Sequence, residues 1–393
     1  MHKLIVRCLA GIGDGIVAGR ICAAALSCGL LLAQTAAPPR APNTFRPAAI
    51  RAAPLVSPEV HADRTVTFRL SAPAAPDVSL FMDGDHAMEK GPDGIWSVTL
   101  GPFDPEIYSY TFRIGGATIP DPANSSSTTG EFANSLLDIP ATPARFDQVS
   151  DVAHGTLQIR TYTSTPYRRQ RSLYVYVPPQ YESEPARRFP VLYLRHGNGG
   201  DESDWVVQGR AGVILENLIA EHKAVPMIIV MTYGESNASG GATPEGIERL
   251  GKELLDDVIP VVEKNYRVIR GRDDRAIAGL SMGGGQAFTI GLKHLDLFAW
   301  VGEFSSGLLS DADFKIEKYL PNLVADAPSF NKKLKLLFLS CGTEDPRLPG
   351  QLDLMDDFTR YKVGYEWYTT PGAHEWKVWR HSLRAFLPKL FQR

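Results

Sequence analysis

Apolar positions follow two regimes along the chain. Between Pro54 and Pro122 they alternate with polar ones: Val66, Phe68 and Leu70 share one face, Val78, Leu80 and Met82 another, and Trp96, Val98 and Leu100 follow the turn Gly91-Pro92-Asp93-Gly94. Tyr108, Tyr110, Phe112 and Ile114 continue the alternation. A period of two, broken by Gly, Pro and Asp, predicts short antiparallel strands and a small all-β, immunoglobulin-like sandwich over residues 54–122. Past residue 150 the pattern changes. Residues 155–159 and 173–177 read as an antiparallel hairpin, and 191–194 and 227–231 are continuous apolar runs, as strands covered on both faces require. Helices are predicted at 213–222 and at 244–266, the latter with Ile247, Leu250, Leu254, Val258 and Val261 on one stripe. Further strands at 276–280, 298–301, 334–340 and 365–369, and helices after Gly350 and His374, complete the alternation. Repeated strand–helix units predict an α/β domain over 151–393, with a mostly parallel central sheet covered by helices.

The segments between these regimes have their own composition. Lys3, Arg7 and Arg20 precede an apolar run over 21–33 and small residues near 33–37, the pattern of an export signal over residues 1–36. The run is shorter than a bilayer span, so no membrane association is expected after signal cleavage. Residues 37–53, rich in Pro and Ala, read as a linker, and 123–150, rich in Ser, Thr, Pro and Asn, as the connection between two domains. A length of 393 residues suits two domains. The net charge of −3, without basic runs, excludes the electrostatic footprint of a nucleic-acid binder. Cys8, Cys22 and Cys28 fall in the signal and leave Cys341 without an intrachain partner, which suits a secreted or periplasmic protein that folds without disulfides. No Cys/His spacing suits zinc and no glycine loop with a lysine cradles phosphate, so neither metal nor cofactor is expected.

The candidate chemistry centres on Gly279-Leu280-Ser281-Met282-Gly283, where an apolar strand runs into a helix-like segment. Strand, Gly-x-Ser-x-Gly turn and helix together predict a nucleophile elbow, with Ser281 at the tip of the strand above a helix N-terminus. A serine hydroxyl needs a base, and the base an orienting carboxylate, arriving downstream in the order serine, acid, histidine. His374 follows the 365–369 strand in a loop and precedes a helix, whereas His294 and His381 lie within helices; His374 is the expected base. Glu344 and Asp345 both end the 334–340 strand; Asp345 is preferred as the acid. The N–H groups of Met282 and of Asn198, in the glycine-rich loop 195–201, are the expected oxyanion donors. His196 in that loop precedes the serine and reads as structural support. Trp205, Tyr233 and Trp376 are candidate walls for an aromatic substrate group.

Four motifs in order carry a family resemblance: Tyr174-Val175-Tyr176-Val177-Pro178-Pro179; residues 190–205, with Arg195-His196-Gly197-Asn198-Gly199-Gly200 at their centre; Gly279-Leu280-Ser281-Met282-Gly283-Gly284; and Gly372-Ala373-His374-Glu375-Trp376. From about Gly155 onward the chain resembles the esterase-D family, an α/β-hydrolase family that includes bacterial feruloyl, acetyl-xylan and enterochelin esterases and mycolyltransferases. Asp93-Gly94-Ile95-Trp96 and Tyr108-Ser109-Tyr110-Thr111-Phe112 resemble the glycogen-branching-enzyme-type module that precedes such esterases; Trp96 sits in the alternating core pattern rather than exposed for sugar binding. The resemblance implies an α/β-hydrolase fold, with Ser281, Asp345 and His374 as the triad and Asn198 and Met282 as the oxyanion hole. It further implies a secreted ester hydrolase acting on feruloyl or acetyl groups of plant cell-wall xylan. A siderophore esterase, an acyltransferase and a polysaccharide-binding protein on a hydrolase fold are the alternatives.

Overall fold

The computed structural model describes residues 54–307 and 314–392; the expected export signal and the linker after it lie outside the described residues. The expected parallel sheet is present with eight strands. Their spatial order is Thr156–Ser164, Arg169–Val177, Ile228–Thr232, Val191–Arg195, Arg275–Leu280, Trp300–Phe304, Leu336–Gly342 and Glu366–Thr370. The first pair is an antiparallel hairpin, which joins Ile228–Thr232 antiparallel; every later pairing is parallel. The sheet is mixed at one edge and wound on both faces, the arrangement of an α/β-hydrolase. Because helices cover both faces, Val191–Arg195, Ile228–Thr232, Arg275–Leu280 and Leu336–Gly342 are buried at every position. One apolar cluster, around Val230, Ile277, Phe288 and Leu339, fills one face. Another, around Leu192, Trp205, Phe304 and Phe386, fills the other.

Upstream lie the antiparallel strands that the period-two pattern predicts. Glu59–Val60, Val66–Ser71, Ile95–Leu100 and Glu89–Lys90 form one sheet; Asp85–Ala87, Ser79–Phe81, Ile107–Ile114 and Ala117–Ile119 form another. Phe68, Leu80, Trp96, Tyr110 and Phe112 are buried together between them. Trp96 spends its indole N–H on the Ala72 carbonyl at 3.0 Å, a core role. Ser135–Asp138, inside the segment expected as a connection, is a strand paired with Ile107–Ile114, and Leu137 and Ile139 join the same core. Its polar neighbours masked a run of only two leucines.

The helix expected over 244–266 starts where the sequence suggests, with Thr243 capping the N–H of Gly246 at 3.1 Å and Pro244 in the first turn. It is interrupted by a π-turn at Leu254–Val258 before resuming as Ile259–Asn265. No helix among the described residues is long and apolar enough to cross a membrane.

Candidate active site

The turn after Arg275–Leu280 places Ser281 at φ +50°, a left-handed conformation that a serine adopts only where its surroundings enforce it. The enforcement comes from backbone packed on backbone. A Cβ at Gly283 would lie 2.2 Å from the His196 carbonyl oxygen and 2.8 Å from that of Arg195; one at Gly279 would lie 2.3 Å from the Gly283 carbonyl oxygen. Only glycine fits at either position, and the helix Ser281–Lys293 begins at the serine itself.

Two neighbouring strand ends bring the partners. The loop after Leu336–Gly342 is stitched to the loop after Glu366–Thr370: the Thr343 N–H donates to Thr370 at 3.0 Å, and the Glu344 N–H to Gly372 at 3.0 Å. His374 Nε2 stands 2.9 Å from Ser281 Oγ. Its Nδ1 stands 2.9 Å and 3.1 Å from the two carboxylate oxygens of Asp345. An ionised carboxylate only accepts hydrogen bonds, so Nδ1 carries the proton and Nε2 is free to accept from the serine hydroxyl. Burial pushes the Asp345 carboxyl up, but hydrogen bonds from His374 and from the Arg347 N–H (2.9 Å) outweigh it and hold the group below the usual carboxylate range. Glu344 points elsewhere: it is exposed, accepts from the Thr343 hydroxyl at 2.7 Å and from the Gly372 N–H, and holds the histidine's loop rather than its ring.

The glycine-rich loop 195–201 runs beside the serine, with the Cα of Gly197 packed on Leu280 and Ser281. Asn198 and Met282 line one cleft together with Ser281 and His374. The loop is anchored from below. His196 is fully buried, its Nδ1 facing the Gly197 carbonyl at 2.7 Å and its Nε2 accepting from the Gly234 N–H at 2.8 Å. Burial drives its pKa down to about 4, so it is a neutral strut. The Arg195 guanidinium donates to Gln286 at 2.7 Å, and the Gln286 amide donates to the carbonyls of Gly234 (2.8 Å) and Gly241 (2.7 Å). Asn198 in turn accepts from the Asn237 N–H at 2.7 Å, which ties the loop 234–243 to the site.

The three aromatic candidates separate. Trp376 lines the cleft. Trp205 does not reach it: the side chain is 1% exposed, its indole N–H donates to the Arg195 carbonyl at 2.8 Å, and its ring meets Trp376 edge-on at 5.2 Å. Tyr233 is half-buried beside the His196 ring (5.4 Å) and the Arg171 guanidinium (5.2 Å), outside the cleft lining. Neither position was separable in sequence, where an aromatic residue looks the same facing in or out.

Sequence reasoning also missed two acids. Asp204 lies under Gly200, and burial raises its carboxyl to about 7. Glu303, at the end of the strand between those of the serine and the acid, is fully buried, accepts from Gln351 Nε2 at 3.0 Å, and is raised to about 8 by that burial. The cleft itself measures about 1250 Å³, and much of its wall comes from the upstream sheets and the segment 128–134. That segment clasps the glycine-rich loop: the Glu131 N–H donates to the Gly199 carbonyl at 2.7 Å and the Thr129 hydroxyl to Asp201 at 2.7 Å.

Against known proteins, the Esterase family model matches residues 164–390. Over 351 residues the chain is 32% identical to an endo-1,4-beta-xylanase/feruloyl esterase of Xylanibacter ruminicola, covering 85% of this chain and 46% of that protein. The chain spans about half the length of the curated relatives it matches first. Among solved structures, a ferulic acid esterase aligns at 26% identity with a TM-score of 0.53, over 60% of this chain and 97% of its own. The enterobactin esterase of Shigella flexneri aligns with a TM-score of 0.60 over 82% of this chain and 92% of its own; at 16% identity it is a likeness of fold.

Proposed function

The chain belongs to the Esterase family, and on that footing we propose that it is an exported serine ester hydrolase that releases feruloyl or acetyl groups from plant cell-wall xylan. The observation that carries the reading is the continuous relay from Asp345 through His374 to Ser281, each step at 2.9 Å. Ser281 Oγ attacks the ester carbonyl carbon while His374 Nε2 takes its proton, and the Asp345 carboxylate stabilises the imidazolium that forms. The carbonyl oxygen becomes an oxyanion held by the N–H groups of Met282 and Asn198, at the positive end of the helix that begins at Ser281. Collapse of this intermediate expels the alcohol, which takes the proton from His374, and leaves an acyl group on Ser281. Water then repeats the sequence and frees the acid.

Two observations support a glycan-linked substrate. The cleft, at about 1250 Å³, exceeds the roughly 300–1,000 Å³ of a typical small-ligand pocket. The Xylanibacter relative, similar over 85% of this chain, carries both xylanase and feruloyl esterase in its name. Trp376 offers an aromatic face on the His374 side of the cleft.

The test is ester hydrolysis by the purified protein and by Ser281→Ala, on methyl ferulate, acetylated xylan and p-nitrophenyl acetate. Turnover of ferulate that disappears in the variant is the expected result. Turnover of acetyl esters alone would keep the mechanism and discard the feruloyl substrate. Serine-independent turnover, or none, together with retention on xylan, would replace the enzyme with a polysaccharide-binding protein.

A further inference from the structure

Phe132 is the most exposed large apolar side chain among the described residues, at 64%, and it lines the cleft. Single exposed apolar residues are common and need no explanation. This one differs in how firmly it is held. The segment 128–134 closes on itself: the Asn134 N–H donates to Thr128 Oγ1 at 2.8 Å, the Thr128 N–H to the Asn134 carbonyl at 2.8 Å, and Asn134 Nδ2 to the Phe132 carbonyl at 2.8 Å. The Glu131 and Thr129 bonds then fasten it to the loop that carries Asn198. The ring rests against the bare Cα of Gly199, where a Cβ would come within 2.7 Å of it, and Gly199 itself holds φ +77°. Across the segment, a Cβ on Gly130 would lie 2.4 Å from the Gly199 carbonyl oxygen, so backbone meets backbone there too. The segment is therefore held against Gly199, one residue past the expected oxyanion donor, with the ring largely exposed.

We propose that Phe132 is a specificity-determining residue of the ester site, forming a wall for an aromatic acyl group whose carbonyl oxygen sits at Asn198 and Met282. The proposal rests on the ester-hydrolase reading above and adds to it which part of the substrate the upstream segment recognises. The assignment to the acyl side follows from the proton path. His374 returns its proton to the departing alcohol, so the alcohol lies along the histidine's own loop, where Trp376 and Lys377 line the cleft. Phe132 adjoins instead the loop that receives the carbonyl oxygen. An aromatic ring offers a second aromatic ring offset-stacked or edge-to-face contact, which an acetyl group cannot use.

The test compares the full chain with Phe132→Ala, Phe132→Leu and Phe132→Tyr on methyl ferulate, methyl acetate and a feruloylated arabinoxylan oligosaccharide. The expected result is a fall of about ten-fold in the ferulate-to-acetate ratio of kcat/KM for the alanine variant, carried by KM. The leucine variant, which keeps an apolar side chain without the ring, shows most of that fall, and the tyrosine variant restores the ratio. Methyl ferulate and the oligosaccharide, which share an acyl group, lose equally. A ratio unchanged in the alanine variant overturns the proposal while leaving the esterase reading intact. So does a loss confined to the oligosaccharide, which would put the ring against the sugar. Absence of Ser281-dependent turnover in the unaltered protein overturns both.

Discussion

At the scale of single residues, two adjacent carboxylates with different surroundings divide the work at the base. Asp345 is 3% exposed and bonded to the imidazole, whereas Glu344 is exposed and bonded to loop backbone. Asp345→Asn is therefore expected to lower kcat on p-nitrophenyl acetate by roughly 10³–10⁴-fold, because an amide cannot hold the required tautomer. Glu344→Gln keeps an acceptor for Gly372 and is expected to cost less than about ten-fold; equal losses would show that the acid had been misassigned. Glu303 gives the protein a pH signature of a different kind. Its carboxyl ionises near 4.5 in the unfolded chain but, raised by burial to about 8, stays protonated in the folded one. Between those values the folded state binds the extra proton, so the contribution of this group to stability falls as pH rises through that window. Glu303→Gln removes the titration, and its melting temperature should gain on the unaltered protein progressively from about pH 5 to about pH 8. A constant offset across that range, measured by calorimetry, would mean that Glu303 is already ionised when folded.

At the scale of elements, the elbow depends on two glycines more than on any side chain. Gly283→Ala inserts a methyl 2.2 Å from the His196 carbonyl oxygen, where neither the helix nor the glycine-rich loop has room to yield. Destabilisation of about 3 kcal/mol in urea titrations is expected, with loss of turnover in whatever folds; an active, equally stable variant would show that the loop can shift. This turn was legible in the sequence because its chemistry is local: small residues flank a serine between a strand and a helix. Asp345 and His374 were legible for a related reason, each being a polar residue just past an apolar run. What was not legible depends on contacts between distant segments. Trp205 and Trp376 carry the same side chain, and only the packing of one against Arg195 and Phe304 decides which is core. The strand Ser135–Asp138 is too short for a period to register, and the π-turn at Leu254–Val258 moves the buried stripe on by one, so that Ile259 and Val262 are buried and the expected Val261 only partly so. Phe132, amid Ser, Thr and Asn, carried no signal until the fold set it over the site.

At the scale of the whole molecule, a helix of the α/β part shares ion pairs with the loops upstream of it. Arg380, 1% exposed on the helix Trp376–Phe386, reaches Asp147 at 2.7 Å, the Gln208 carbonyl at 2.9 Å, and Glu106 of the upstream part. Removing Arg380 leaves Asp147 with Arg145 alone, at 2.9 Å, and takes the guanidinium from the partly exposed Glu106, so Arg380→Ala is expected to cost about 2 kcal/mol in denaturant unfolding. Arg380→Lys should recover only part of that loss, since an ammonium lacks the planar fork of donors of a guanidinium; a neutral alanine variant would mean that water replaces the arginine. The clasp of Glu131 and Thr129 on the loop 195–201 carries this sharing into the chemistry itself. Its consequence concerns how such a protein can change by recombination. A gene segment encoding only residues 151 onward would inherit Ser281, Asp345 and His374 intact, yet leave behind the Glu131 bond to the Gly199 carbonyl and the Thr129 bond to Asp201, whose carboxylate would keep Ser203 alone. The smallest heritable unit of this site is thus longer than the sequence that spells its motifs.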